Sequence, residues 1–445
     1  MRSVPPIDPT AMEFLYSELA QIDVLPLGNR PDANIRIKDL RRGIPPSPDQ
    51  SIGFATLVEE DGVWSWEEGI IPIAAAQRRG ALSTSFAKRP VTTVTFERLG
   101  SNKIASRLEA LDKNFTPHSG LREFRGGCLL PAAAIPLKTG RILLFIHGTF
   151  SNNDKLIADL QDGGNIPGNE FLASITSESE GKKRNYDQVL AFDHYTVSRS
   201  PVLNAFELAR CFQGSTADID IICHSRGGLV TRWFLEVFDR EPRRCRRAVF
   251  VGSPLGGTSL AAPDRIRNAI DLFTNVGQVL GNAFSIIPFT QVAGSLMQVI
   301  FSFGNFVSRT PLADAAVAMI PGLAAMSRVE NNFEILALKD CAPTPPEYFA
   351  VTSRFRGDEI GWRFWKVFCD FRVRSAEAAD RLIFRDQSST SYDNDLVVDT
   401  ASMTQYGIPP TAGICDFGET DHVYHTIYFR QPRTINFIRQ KLGIA

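Results

Sequence analysis

From residue 124 onward the sequence predicts an α/β fold with a mostly parallel central sheet. Three observations carry that prediction. Ile142–Ile146 reads Ile-Leu-Leu-Phe-Ile, a continuous apolar run of the kind a strand shows when both its faces are buried. Similar short runs at Val189–Phe192 and Ala248–Val251 recur with helix-periodic stretches between them. Finally, Asp218–Gly228 (Asp-Ile-Asp-Ile-Ile-Cys-His-Ser-Arg-Gly-Gly) passes from a β-branched run through a tight turn directly into an amphipathic helix bearing Leu229, Val230, Trp233, Phe234 and Val237.

Composition bounds the rest. A chain of 445 residues has room for two or three domains and a large interior. Its hydrophobic fraction of 44% and charged fraction of 22% belong to an ordinary globular protein. A net charge of −1 gives no electrostatic case for a nucleic-acid partner. Seven cysteines, an odd number without a Cys-x-x-Cys pair, argue for a reducing compartment and against a disulfide framework or a structural zinc site. The opening Met-Arg-Ser-Val-Pro-Pro-Ile-Asp lacks the basic start and apolar run of a secretory leader, so the expected location is the cytoplasm.

Residues 1–120 read as a small α+β or β-rich N-terminal domain without a chemical signature, leaving room for a protein partner. Thr10–Ile22 has helical spacing (Met12, Leu15, Leu19). Ile52–Val58 and Val91–Phe96 are strand-like, and Trp64 and Trp66 alternate about Ser65. Residues 121–445 form the second domain, with a helix over about Val202–Phe212 after the Val189 strand. Leu272–Ser308 then carries no charged residue. A membrane span needs about 20 predominantly apolar residues, whereas Asn282, Pro288, Gln291, Gln298, Gly304 and Asn305 interrupt this one. The expected element is a helical apolar lid at about 259–326, with contact between 272–308 and a membrane surface as the alternative. Beyond Pro321, strands are expected at Tyr348–Thr352 and Trp362–Arg374, short apolar pieces at Leu396–Val398 and Ile414–Phe417, and a closing helix at about Arg433–Leu442.

The serine turn is where chemistry enters. A strand, a sharp turn and a helix hold a serine exposed at the top of a sheet, and the strained turn needs small residues two before and two after it. Gly227 meets that need and Cys223 is small enough for it, which makes Ser225 the candidate nucleophile. A serine hydroxyl needs a base and a group that orients the base. Where these follow in the order serine, acid, histidine, only His422 and His425 lie far enough downstream. His422, in the turn-rich Gly418-Glu-Thr-Asp-His422, is the expected base; His425 lies in the more apolar Val423–Phe429. His224, adjacent to the serine, cannot fold back onto it. Asp395, directly before Leu-Val-Val, is the expected acid, with Asp393 and Asp399 read as turn or capping residues. The oxyanion requires two backbone donors. These are expected from Arg226, the residue after the nucleophile, and from Thr149 or Phe150 after the His147-Gly148 strand end.

Taken together, His147-Gly-Thr, Cys-His-Ser-Arg-Gly-Gly, Gly252-Ser-Pro-Leu-Gly-Gly-Thr258, Asn394-Asp-Leu-Val-Val and Asp421-His422 resemble the lipase-like branch of the α/β-hydrolase superfamily. The second motif is similar to the Gly-His-Ser-x-Gly-Gly of lipases and lecithin-cholesterol-type acyltransferases. Bacterial lipase-like domains found beside effector modules are similar as well. The resemblance covers about residues 124–445 and departs in three places. Cys223 replaces the first glycine of the serine turn, Leu396 replaces the glycine after the acid, and residues 1–120 have no counterpart. It implies an α/β-hydrolase fold and a serine hydrolase acting on an ester of a lipid or other apolar acyl group through an acyl-enzyme, with no cofactor and no metal. An acyltransferase with the same three residues and a non-catalytic scaffold are the competing readings.

Overall fold

The computed structural model describes the six strands before residue 98 and then residues 101–162, 164–176, 185–258, 261, 320–327, 332–338, 346–355, 393–404, 413–420 and 422–444. The expected helix at 10–22, the uncharged insertion at 272–308 and the expected strand at 362–374 lie outside the described residues. The chain divides into two compact units: Met1–Arg107 with Pro263–Val317 and Trp362–Ile383, and Leu108–Ala262 with Ala318–Gly361 and Phe384–Ala445.

In the first unit, strands β1 (Leu25–Pro26), β2 (Asn34–Ile35), β3 (Ile52–Glu60), β4 (Val63–Ile71), β5 (Leu82–Ser83) and β6 (Arg89–Glu97) form antiparallel sheets. The larger has the order β1-β6-β3-β4, and the smaller pairs β2 with β5. The Trp64/Trp66 alternation does fall on a strand, opposite Glu59 and Leu57.

The second unit opens within helix α1 (Ser101–Phe115), whose Leu108, Leu111, Asp112 and Phe115 are buried. It continues with β7 (Gly120–Arg125), β8 (Cys128–Ala133), β9 (Arg141–Ile146), α2 (Asn153–Gln161), α3 (Ile166–Thr176), β10 (Gln188–Asp193), α4 (Pro201–Cys211) and β11 (Asp218–His224). Then come α5 (Gly227–Arg232), extended by a π-helical turn to Phe238, β12 (Arg246–Val251), α6 (Pro321–Ala324), α7 (Phe333–Ala337), β13 (Glu347–Phe355), β14 (Ile414–Thr420) and α8 (Pro432–Leu442). The expected boundary at residue 120 falls inside this unit, because the buried face of α1 and the pairing of β7 with β10 belong to it.

Eight strands make one sheet in the order β14-β13-β12-β11-β9-β10-β7-β8. Every pairing from β10 to β14 is parallel, and the β7–β8 hairpin joins antiparallel. Two-sided burial explains the apolar runs. Along β9, Leu143 and Phe145 face a core shared with Leu156, Leu160, Phe171, Ile435 and Ile438, whereas Ile142, Leu144 and Ile146 face one shared with Leu208, Phe212, Val230 and Phe234. Alternate residues thus serve opposite layers, as the period of a strand requires. Because β9 lies between β10 and β11, the chain leaves the middle of the sheet in both directions, and the crevice at such a reversal, beyond the carboxyl ends of the strands, is where folds of this type bind ligands.

Candidate active site

Ser225 follows β11 immediately and has a left-handed backbone, with φ of 53°. Its amide donates to Val251 O (2.9 Å) and its carbonyl accepts from the Gly228 amide (2.9 Å), so both flanks of the turn are fixed. A non-glycine residue in this conformation is strained and persists only where its surroundings over-determine it. Packing supplies that determination: a Cβ on Gly148 would stand 2.6 Å from Ser225 Cβ, so the end of β9 can approach the serine only as glycine. Cys223 is buried within the core, its Sγ 3.5 Å from Val249 O. Burial pushes its thiol up to about 12, which leaves no thiolate to compete with the serine.

Asp395 is completely buried and all its oxygens are engaged. Oδ1 accepts the amides of Val397 (3.1 Å) and Val398 (2.8 Å). Oδ2 accepts from His425 Nδ1 (2.8 Å) and from the Tyr428 hydroxyl (3.0 Å). The His425 amide also donates to Asp395 O (3.0 Å), so the two loops are clamped through backbone and side chain alike. Tyr428 stays a donor because burial, and then the Asp395 carboxylate, hold its hydroxyl well above its ordinary value. Ser353 Oγ lies 2.7 Å from the same hydroxyl and completes the chain. Leu396, at the family's glycine position, has φ of 80°, which gives the physical reason a glycine suits that place.

The expectation of His422 is corrected by these contacts. His422 is exposed, with Nδ1 3.2 Å from Thr420 Oγ1, and Asp395 bonds His425 instead. The physical reason is burial. An acid held inside the protein can meet only an imidazole that is itself buried, and the apolar Val423–Phe429 segment supplies one where the exposed His422 cannot. His425 is buried, and a Cβ on Gly252 would meet both Asp395 Oδ2 (3.1 Å) and His425 Nδ1 (3.3 Å), so the end of β12 must also be glycine for the pair to form. Asp393 pairs loosely with Arg354 (3.8 Å), and Asp399 bridges back to Asn394 across the loop.

Of the expected oxyanion donors, the Phe150 amide donates to Thr196 Oγ1 (3.2 Å). Among the described backbone hydrogen bonds none uses the amide of Arg226. The Arg226 side chain is fully buried and donates to Arg199 O. His147 has a shaping role. Its Nε2 accepts the His194 amide (3.0 Å), so the proton sits on Nδ1, which donates to Gly148 O (2.8 Å). Burial lowers its basicity and keeps it neutral. The loop over it is anchored by Asp112, which accepts the amides of Thr196 (2.7 Å), Val197 (2.9 Å) and Ser198 (2.7 Å). Sequence reading missed Asp112, though its signal was present: a carboxylate within the apolar stripe Leu108, Leu111, Phe115. Among the described residues no cluster of three or more His, Cys, Asp or Glu could hold a metal ion.

Strand order and a left-handed serine at the end of the fifth strand of the large sheet define the class: this is an α/β-hydrolase fold. The chain belongs to the family described as a domain of unknown function (DUF7379), whose model matches residues 110–443. No curated protein matches the sequence. Similar solved structures include lipase 1 from Pelosinus fermentans, at 13% identity and a TM-score of 0.37, covering 69% of this chain and 99% of that one. A thermophilic esterase from Thermogutta terrifontis matches at 15% identity and 0.30, covering 68% and 90% respectively. MenH from S. aureus matches at 11% and 0.29, covering 73% and 99%. The fold assignment rests on the strand order itself.

Proposed function

We propose that this chain is a serine hydrolase that cleaves an ester of a lipid or other apolar acyl group through an acyl-enzyme. The observation that carries the reading is the buried Asp395–His425 pair (2.8 Å), whose imidazole lies beside the turn that presents Ser225. Asp395 holds His425 as the Nδ1–H tautomer, which frees Nε2 to act as a base. In that chemistry Ser225 Oγ attacks the ester carbonyl while its proton passes to His425 Nε2. The amides of Arg226 and Thr149 receive the oxyanion. Collapse expels the alcohol, which takes the proton from His425, and water then repeats the sequence to release the acid. The preference for an apolar acyl group rests on the uncharged 272–308 stretch, in the position where hydrolases of this fold carry a cap. Cysteine usage supports a reducing compartment.

A fluorophosphonate probe tests the reading. The protein is expected to be labelled, and Ser225→Ala to abolish labelling together with hydrolysis of p-nitrophenyl esters across a range of chain lengths. Labelling that survives Ser225→Ala would sink the assignment. Adding an alcohol acceptor and measuring ester formation separates hydrolysis from acyl transfer.

A further inference from the structure

His224 takes no part in the chemistry above, yet it stands at the serine turn between the His425 segment and the loop at Gly148. Its Nε2 lies 2.8 Å from the carbonyl oxygen of His425. A carbonyl only accepts, so Nε2 carries the proton and the neutral ring is the Nε2–H tautomer. The ring packs 4.8 Å from the His425 ring and edge-on to Phe429 at 5.7 Å (centroid distances). On its other side stands the end of β9, where a Cβ on Gly148 would meet His224 Nδ1 at 3.3 Å. Burial, and then the neighbouring His425, push its basicity down to about 3, so the tautomer persists across the range in which esterases work.

We propose that His224 is a positioning residue: its Nε2–H bond to the His425 carbonyl sets the base's loop against the serine turn, and its ring spaces that loop from the oxyanion loop at Gly148. The two bonds to Asp395 tie His425 to its acid. The bond from His224 ties it to the nucleophile's own turn, and so fixes the one separation that proton transfer from Ser225 depends on. A misplacement of about 1 Å in such a geometry costs on the order of 100-fold in rate. The inference rests on the serine-hydrolase reading and deepens it.

The test compares the unaltered protein with His224→Phe and His224→Gln. Phenylalanine keeps the ring and loses the donor, whereas glutamine returns an N–H to about the place of Nε2. On a p-nitrophenyl ester, His224→Phe is expected to lose roughly 30- to 100-fold in kcat with KM within about threefold, and His224→Gln to recover to within about fivefold. A His224→Phe enzyme within twofold of the unaltered one, or a glutamine variant as impaired as the phenylalanine one, overturns the positioning role. A second measurement needs no variant. With 15N-histidine labelling, His224 is expected to show the neutral Nε2–H pattern from pH 5 to 8, and an Nδ1–H tautomer or a titration in that range overturns the contact. If the unaltered protein neither turns over esters nor takes the fluorophosphonate, the hydrolase reading falls and the positioning role with it. An active, labelled enzyme indifferent to His224→Phe overturns the positioning role alone.

Discussion

The two ends of the large sheet are built on opposite principles. At the amino ends of the strands, two aspartates of β11 gather hydrogen bonds from their neighbours. Asp220 of β11 accepts from Arg247 Nη2 (2.6 Å) and Nε (2.7 Å), from the Tyr186 hydroxyl (2.7 Å) and from Arg141 (3.2 Å). Asp218 accepts the amides of Arg244 and Cys245, both at 3.0 Å. At the carboxyl ends the backbone is strained and imidazoles are held neutral inside the protein. Among the described residues three non-glycines have left-handed backbones, Phe150, Ser225 and Leu396, and all three lie on the loops of the candidate site. One end supplies stability; the other consumes it to hold groups where reaction would need them.

The contrast yields graded predictions. The largest effect is expected from His425→Ala or Asp395→Asn, each lowering kcat by about 10⁴-fold or more with little change in the far-UV spectrum, while His422→Ala stays within about twofold. Equal losses at His422 and His425 would return the base to the exposed loop. Second is acid sensitivity of the carboxyl end. Burial holds His194 well below, and His224 near 3 against, the ordinary value of 6.5, and lowers His147 as well. In the unfolded chain these groups titrate near 6.5, so below that pH the unfolded state binds more protons and stability falls as pH falls. Unfolding free energies from urea titrations at pH 7.5 and pH 5 should differ by on the order of 2 kcal/mol from His224 alone, with His194 and His147 adding in the same direction. A flat profile would contradict neutral burial. Third, Asp220→Ala should cost about 1–2 kcal/mol of stability in the same titration while leaving kcat per folded molecule unchanged, because it removes the buried carboxylate that Arg247, Arg141 and Tyr186 share at the opposite end of β11 from Ser225. Smallest is Leu396→Gly, expected to keep activity and add up to about 1 kcal/mol by relieving the left-handed strain.

Sequence alone showed much of this fold because buried parallel strands leave an unmistakable trace: the runs at 142–146, 219–222 and 248–251 all became central strands. The serine turn was equally visible, since its glycines are dictated by contacts as close as 2.5 Å from a Cβ on Gly227 to Ile146 O. His425 was harder. A turn-rich loop looks like the place to display a histidine, yet this imidazole must reach a carboxylate with no exposure at all. The informative signal was the apolar setting of His425, with Val423, Tyr428 and Phe429 all buried around it. Asp112, Thr196 and His224 act through contacts made across 46 to 201 residues, and no local pattern announces such pairings. The glycine missing at 396 was visible as a departure, whereas its backbone angle was not.

The sulfur of Cys223 carries a practical corollary. Cys128 and Cys211 are exposed, while Cys223, two residues from the serine, is sealed in the core with its proton firmly held. Maleimides and mild oxidants should therefore modify the outer thiols and leave hydrolysis untouched. That makes Cys128 and Cys211, the exposed cysteines among the described residues, ready attachment points for a fluorophore, with the thiol nearest the serine turn chemically silent toward the dye.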